Sequence, residues 1–271
     1  MKQKDNFALK GIVAGFTKSG TTLVNAVLNK HPEICNGFET GLLYEDNLID
    51  FLKKDSREKI HHFNILKTGW ELTDGDIEYI CSSEDWFEAY ERLRERSPLV
   101  KNKNSLIIDK TPRYLLKLSK VLEKIPNIPC VLMVRDPRAV ICSNLLGVEK
   151  HSKKLNRKQI AQSILELCQY YNLNRTKYLE AIKNGYANRI LVVQHEKLCL
   201  EPEKYFKKIF DFLKLDFSNS YLNLEKLRFG QINVHGLIVE NKYNKEYKKY
   251  FNDEICQFII KNVKNCDEWI F

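Results

Sequence analysis

Short apolar runs alternate along the chain with longer segments that repeat apolar residues at helical spacing. The runs at 12–14, 106–108, 129–134 and 189–193 have the length and composition of buried strands. Helical periodicity follows the first run, returns at 114–122 and is clearest in the long segment 158–183. Strands that alternate with helices are typical of a parallel sheet covered by helices on both faces. The pattern therefore predicts an α/β fold, a three-layer α/β/α domain around a central parallel sheet.

The segment 42–104 interrupts this alternation, because its strand signals are weak. Four of its apolar residues share one helical face: Trp86, Phe87, Tyr90 and Leu93. We therefore predict a mainly helical insertion that lies over the carboxyl edge of the sheet, with His61 and His62 on a solvated face. A length of 271 residues is enough for one large domain with a sizeable core, so we expect 1–271 to form a single domain.

The net charge bears on the type of ligand, and the cysteine spacing bears on the redox state of the thiols. The net charge of +9 favours polyanionic ligands, such as nucleotides, nucleic acid, acidic glycans or anionic lipids, but it also occurs as plain solubility. None of the eight cysteines forms a C-x-x-C pair or has zinc-ligand spacing, which indicates reduced thiols. Residues 1–10 lack the apolar core of a signal peptide, and no apolar stretch is long enough to span a bilayer. We expect a cytoplasmic protein without a transmembrane segment; its oligomeric state leaves no signal in the sequence.

A glycine loop follows the first predicted strand and precedes the first predicted helix. Gly15 and Gly20 have the spacing of the nucleotide-binding pattern G-x-x-x-x-G-K-[ST], but Thr21 stands where that pattern has its lysine. Backbone N–H groups and the helix dipole make such a loop an anion site. Four side chains add a charge and three hydroxyls: Lys18, Ser19, Thr21 and Thr22. The loop predicts a 5′-phosphate-type ligand handled without a metal; the alternative is an ordinary glycine turn.

A second candidate anion site follows the strand predicted at 129–134. Arg135 comes directly after this strand, and open α/β sheets bind ligands at the carboxyl ends of their strands. Asp136 and Pro137 form a helix start, which places Ser143 about two turns into the next helix. A guanidinium and a hydroxyl there can hold a second phosphate. The alternative is that Arg135 pairs with Asp136 or another carboxylate.

Together these motifs resemble those of sulfotransferases that use 3′-phosphoadenosine 5′-phosphosulfate (PAPS). The run 18–22 is similar to their 5′-phosphosulfate loop, and Arg135 with Ser143 is similar to their 3′-phosphate motif. The run 194–198 resembles a later strand-and-helix segment with a Tyr-Glu-x-Leu core, with His195 at the tyrosine position. The resemblance runs from about residue 11 to about residue 214. It implies a P-loop-like fold, PAPS as co-substrate, no metal, and a cofactor site made of Lys18, Ser19, Gly20, Thr21, Thr22, Arg135, Ser143 and His195.

The same resemblance implies three catalytic residues. Glu39 lies in a segment similar to one of the tyrosylprotein and Golgi-type branch, where a glutamate is the catalytic base. Lys110 resembles that branch's sulfate-stabilising lysine, and Lys18 is the candidate cation at the bridging oxygen. Gly41 stands where the tyrosylprotein enzymes carry an arginine, and Lys18 replaces their loop arginine. The resemblance therefore implies transfer to a hydroxyl or amine acceptor, a glycan or small molecule, although a protein acceptor stays open.

The residues by themselves leave alternatives for each role. Glu39 could cap a helix or pair with a lysine, and Lys110 could be a surface lysine or the partner of Asp109. His195 could stack on adenine or fill the core. The resemblance implies a C-terminal segment that folds over the 3′-phosphate, with Lys242 or Lys245 as its contact, whereas the residues alone indicate a helix start with a solvated face.

Two other functions compete with sulfuryl transfer. A P-loop kinase or nucleotide hydrolase would need the missing loop lysine and an acidic magnesium site. A non-catalytic basic module would bind nucleic acid or an acidic glycan, but the sequence contains no aromatic RNA-binding signature. We therefore expect no specific nucleic-acid partner.

Overall fold

The central sheet has four parallel strands: β1 (Leu9–Gly15), β2 (Ile107–Lys110), β3 (Cys130–Val134) and β4 (Ile190–Gln194), in the order β2-β1-β3-β4. All three strand pairs are parallel. This computed structural model describes residues 7–53, 55–151, 157–224, 227–229, 232–234, 246–264 and 267–270. The predicted parallel sheet is confirmed, and the carboxyl ends of its strands lie along one edge.

Helices connect and cover the strands. They are α1 (Thr21–Leu28), α2 (Leu48–Leu52), α3 (Arg57–Gly69), α4 (Asp74–Cys81), α5 (Trp86–Arg96), α6 (Leu118–Lys124), α7 (Pro137–His151), α8 (Arg157–Ala181), α9 (His195–Leu200), α10 (Pro202–Leu213) and α11 (Asp253–Asn262). Short 3₁₀ turns include Leu42–Tyr44, Pro112–Lys117, Glu246–Lys249 and Asp267–Trp269. A small antiparallel hairpin joins β5 (Leu227–Phe229) and β6 (Ile232–Val234).

Two apolar layers pack against opposite faces of the sheet, because successive side chains of a strand point to opposite faces. Ile12 and Ala14 of β1 belong to the layer that includes buried residues of α5, α6 and α8. Val13, between them, belongs to the layer with buried residues of α1, α9 and α10. The three-layer α/β/α architecture is confirmed.

The segment 42–104 is mainly helical, as predicted, and contributes α2 to α5. Trp70 and Tyr90 from this segment are fully buried in the first apolar layer. At its centre, the N–H of Phe38 donates to the carbonyl of Gly69 at 3.2 Å, so α3 ends against the chain that precedes the insertion. The insertion is therefore packed into the first apolar layer rather than extended into solvent.

Three local predictions need correction. β2 does not end at 108 but continues through Asp109 and Lys110, because they pair with Ile12 and Val13 of β1. The helix predicted at 114–122 begins as the 3₁₀ turn Pro112–Lys117, and its α-helical part is Leu118–Lys124. His62 is 1% exposed rather than solvated. Tertiary packing decides each of these features.

Within the described part of the chain, no helix is long and apolar enough to cross a membrane.

Candidate active site

The glycine loop ends at the N-terminus of α1, where Gly20 has φ +90° and, among the described residues, no side chain caps the helix. The first N–H groups of a helix have no acceptor within it, so this end can receive an anion. Thr21 and Thr22 occupy the first two helical positions. Ser19 is buried, and both its Oγ and its N–H donate to the carbonyl of Phe16, at 2.6 and 3.0 Å. In this structure the Ser19 hydroxyl is used in a hydrogen bond within the loop, and its contact with a ligand stays a prediction.

Arg135, at the end of β3, lies directly against this loop. Its Nη1 donates to the carbonyl oxygen of Lys18 at 2.8 Å. The alternative was that Arg135 pairs with Asp136 or another carboxylate. Both carboxylate oxygens of Asp136 accept instead from Arg138, at 3.0 and 2.6 Å, so the carboxylate that Arg135 approaches is Glu196. The Arg135 Nε lies 3.9 Å from the Glu196 carboxylate, and burial lowers the pKa of the guanidinium. The two predicted phosphate elements are thus in contact.

The Lys18 side chain is exposed, and its backbone adopts a left-handed conformation with φ +67°. Ser143 is partly buried on α7, six positions after the start of that helix. Lys242 and Lys245 lie outside the described residues.

His195 and Glu196 begin α9, directly after β4. They contact the segments that follow β1 and β3. A Cβ built on Gly20 would lie 2.3 Å from the His195 Cδ2, so the imidazole packs onto the backbone of the loop. Burial, and then the charge of Arg135, lowers the pKa of His195 to about 3, which keeps the ring neutral. Glu196 accepts from the N–H of Asp136 at 3.0 Å, and burial raises its pKa to about 7.

Lys110 and Glu39 form an ion pair at the end of β2. The Lys110 Nζ donates to Oε1 of Glu39 at 2.8 Å and lies 3.6 Å from the centre of the Phe38 ring. The lysine is fully buried, whereas 15% of the Glu39 side chain is exposed. Burial lowers the pKa of Lys110, and the Glu39 carboxylate opposes that change. The surface-lysine alternative is wrong. The alternative that Glu39 pairs with a lysine is correct, and its partner is the lysine predicted for catalysis.

Comparison with known proteins agrees with this geometry. The model of the sulfotransferase family matches residues 12–219. The chain belongs to the sulfotransferase family. Protein-tyrosine sulfotransferase of Drosophila melanogaster is 27% identical over 218 residues, which cover 79% of this chain and 40% of that protein. Protein-tyrosine sulfotransferase 1 of Danio rerio is 27% identical over 221 residues, covering 79% of this chain and 56% of that protein. The chain therefore spans about half the length of these curated relatives.

Solved sulfotransferases share the fold. The sulfotransferase domain of the Synechococcus PCC 7002 olefin synthase superposes with a TM-score of 0.58 at 17% identity, covering 92% of each chain. A sulfotransferase from Alicyclobacillus acidocaldarius gives a TM-score of 0.58 at 15% identity, covering 97% of this chain and 95% of that chain. The P-loop-like α/β fold implied by the sequence is confirmed.

The family resemblance assigned no role to Asp109, a fully buried carboxylate of β2. Oδ2 of Asp109 accepts from the hydroxyls of Thr40, Tyr90 and Tyr114, each at 2.5 Å. Oδ1 accepts from the hydroxyl of Thr111 at 2.9 Å. Burial raises the pKa of Asp109, while these donors oppose the rise. An acidic residue that directly extends an apolar strand was the available sequence signal. Glu196 is the glutamate of the run similar to the Tyr-Glu-x-Leu core, and the resemblance assigned it no role.

Gly41 and His62 form a second feature that the sequence did not predict. Gly41 has φ +70°, and a Cβ there would lie 2.2 Å from the His62 Cγ. Any side chain at position 41 would have to displace this buried imidazole, so His62 occupies the space next to the Glu39 segment. No local signal identified the contact, because His62 arrives from the insertion.

In the described ranges, no group of three or more His, Cys, Asp or Glu side chains is arranged to hold a metal ion.

Proposed function

We propose that this protein transfers the sulfuryl group of PAPS to a hydroxyl or amine acceptor, a glycan or a small molecule, with Glu39 as base. The observation that carries the proposal is the ion pair at the end of β2 between the buried Lys110 and the partly exposed Glu39, with Nζ and Oε1 2.8 Å apart. β2 lies beside β1, whose end leads into the glycine loop. A cation and a candidate base are therefore held at the sheet edge where the anion-binding loop begins.

The anion-binding elements fit a nucleotide that carries negative charge at both its 5′ and 3′ positions. The N-terminus of α1, with Lys18, Thr21 and Thr22, suits the 5′-phosphosulfate. Arg135 suits the 3′-phosphate, because its carbonyl contact with Lys18 orients the guanidinium beside the loop. Ser143 on α7 and His195 on α9 complete the proposed cofactor site.

PAPS supplies the activated sulfuryl group, and the protein stabilises charge and moves one proton. When the sulfur–oxygen bond to the 5′-phosphate breaks, negative charge builds on the bridging oxygen, where we place Lys18. Lys110 faces the sulfuryl oxygens. Glu39 accepts the proton that the acceptor hydroxyl loses as it attacks. The short contact with Lys110 orients the Glu39 carboxylate for that role.

The acceptor is proposed to differ from that of the protein-tyrosine sulfotransferases. Those relatives are named for protein tyrosine. In this chain, position 41 is a glycine in a left-handed conformation, and the His62 ring leaves no space for a side chain there. The space beside position 41, close to Glu39, is thus filled by His62 of the insertion. We favour a glycan or small-molecule acceptor, and a tyrosine peptide is the comparison substrate.

The test combines a binding measurement with a transfer assay. Calorimetry with 3′,5′-ADP and 5′-AMP measures the cofactor site, and labelled PAPS measures transfer to phenols, alcohols, amines, oligosaccharides and tyrosine peptides. We expect binding of 3′,5′-ADP and transfer to a non-peptide acceptor. Magnesium-dependent ATP turnover would instead support a kinase or hydrolase. Steeply salt-dependent nucleic-acid or glycan binding without 3′,5′-ADP binding would support a basic module.

A further inference from the structure

The carboxylate of Asp109 lies between the two segments that carry the proposed catalytic pair. It directly precedes Lys110 in β2, and it accepts hydrogen bonds from Thr40, which directly follows Glu39. Successive side chains of a strand point to opposite faces, so Asp109 and Lys110 point apart. We propose that Asp109 is a positioning residue that sets the Glu39 carboxylate against Lys110 by holding Thr40. This inference rests on the proposed function, since it assigns a task to the same pair.

Thr40 is held by both oxygens of Asp109. Its hydroxyl donates to Oδ2 at 2.5 Å, and its backbone N–H approaches Oδ1 at 3.4 Å. Thr40 and Asp109 are both fully buried. With both its backbone and its side chain directed at one carboxylate, the residue after Glu39 has little freedom to shift relative to β2.

The network extends along the chain beyond Thr40. The N–H of Gly41 donates to the hydroxyl of Thr111 at 3.3 Å, and the N–H of Leu43 donates to the hydroxyl of Tyr114 at 3.2 Å. Thr111 and Tyr114 themselves donate to Asp109. The segment that follows Glu39 is therefore connected to the Asp109 carboxylate at three residues, Thr40, Gly41 and Leu43.

Packing alone does not account for a carboxylate at this position. Burial of an ionised group is costly unless hydrogen bonds compensate it, and an apolar residue of similar size would fill the same space without that cost. Asp109 is fully buried and receives hydroxyl donors from the Glu39 loop, from α5 and from the turn after β2. Such an arrangement fixes relative position, and a displacement of about 1 Å at a reacting group can cost about a hundredfold in rate.

The decisive experiment uses Thr40, because Asp109→Asn can fail to fold. Thr40→Val keeps the shape of the side chain and removes its hydroxyl, whereas Thr40→Ser keeps the hydroxyl. We expect Thr40→Val to lower kcat by about tenfold to a hundredfold, with the affinity for 3′,5′-ADP and the KM for PAPS unchanged. Thr40→Ser should stay within about threefold of the wild type, since the bond to Asp109 is retained.

Ser97→Ala is the matched control for loss of a buried hydroxyl. Its Oγ donates to the carbonyl of Trp70 at 2.7 Å, inside the insertion. We expect Ser97→Ala to lower the melting temperature about as much as Thr40→Val does, with kcat close to the wild type. A matching loss of kcat in Ser97→Ala would assign the effect to stability and overturn the proposal.

A double-mutant cycle separates this inference from the proposed function. If Asp109 and Thr40 act by placing the base, Thr40→Val should cost less than about threefold in a Glu39→Gln background, because residues that act as a unit are not additive. An equal loss in both backgrounds would overturn the positioning role and leave the proposed function standing. Full turnover of Glu39→Gln by itself would overturn the role of Glu39, and the positioning inference with it.

Discussion

Lys110 and Glu39 meet at 2.8 Å with the lysine fully buried and the glutamate partly exposed. The pair joins residues 71 positions apart in the chain. Because the ammonium group is the inner member, the carboxylate is the part of the pair that a molecule outside the protein can reach. This arrangement suits a lysine that stabilises charge from inside the protein and a glutamate that contacts the acceptor.

Glu39→Gln should abolish base catalysis while it preserves the shape of the site. We expect turnover to fall by about 10²–10⁴, the usual contribution of a positioned base. The affinity for 3′,5′-ADP should be nearly unchanged, because Glu39 takes no part in the proposed cofactor site. Initial rates and calorimetry on the same preparation check both values. Wild-type turnover in this variant would place the base elsewhere.

Arg135→Ala should weaken binding of 3′,5′-ADP at least about tenfold, since a hydrogen bond to a charged group contributes about 1.5–3 kcal/mol. The preference for 3′,5′-ADP over 5′-AMP should largely disappear. Calorimetry with both nucleotides measures the change. Arg138→Ala is the control, because its guanidinium lies three residues further on, in the first turn of α7, but pairs with Asp136. If Arg138→Ala erased the preference equally, the assignment of the 3′-phosphate to Arg135 would be wrong.

Lys18→Ala should lower turnover more than it lowers nucleotide affinity, because the charge of Lys18 is proposed to act on the bridging oxygen during transfer. The wild-type enzyme should keep full activity in excess EDTA. Lys30→Ala, which removes another exposed lysine, should leave turnover unchanged. Activity that requires added magnesium would contradict the metal-free prediction and favour the kinase interpretation.

Glu196→Gln should change how stability depends on pH. Burial raises the pKa of Glu196 from 4.5 to about 7, so between these values the folded protein binds more protons than the unfolded chain. The stability of the wild type relative to Glu196→Gln should therefore fall by up to about 3 kcal/mol as pH rises from 4.5 to 7. Denaturant unfolding of both proteins at several pH values measures this difference. A pH-independent difference would show that Glu196 titrates normally.

Gly41→Ala should destabilise the protein by at least about 2 kcal/mol, because it combines a left-handed backbone with a collision against His62. In a His62→Ala background the collision disappears, and a cost of about 1 kcal/mol from the backbone should remain. Gly75→Ala is the control, since position 75 lies in α4 and a Cβ there would meet only the Thr73 Oγ1, at an ordinary contact distance of 3.9 Å. An equal cost of Gly41→Ala in both backgrounds would contradict the contact.

The sequence determined the α/β class, the glycine loop, Arg135 at a strand end and the helical nature of the segment 42–104. These features follow from apolar periodicity and turn chemistry, which act over a few residues and can be recognised locally. The resemblance to sulfotransferases added a catalytic base, Glu39, and a sulfate-stabilising lysine, Lys110. The cytoplasmic location and the roles assigned to all of the site residues stay predictions.

Only the tertiary structure decided which side chains meet. Lys110 is buried because β2 pairs with β1 through Asp109 and Lys110, and no pattern within β2 carries that information. His62 is buried because the insertion folds back onto Gly41. Asp109 gains its donors from Thr40, Tyr90 and Tyr114, which lie far from it or on other elements in the chain. Contacts between distant segments depend on how whole elements pack, and local patterns of the sequence do not encode them.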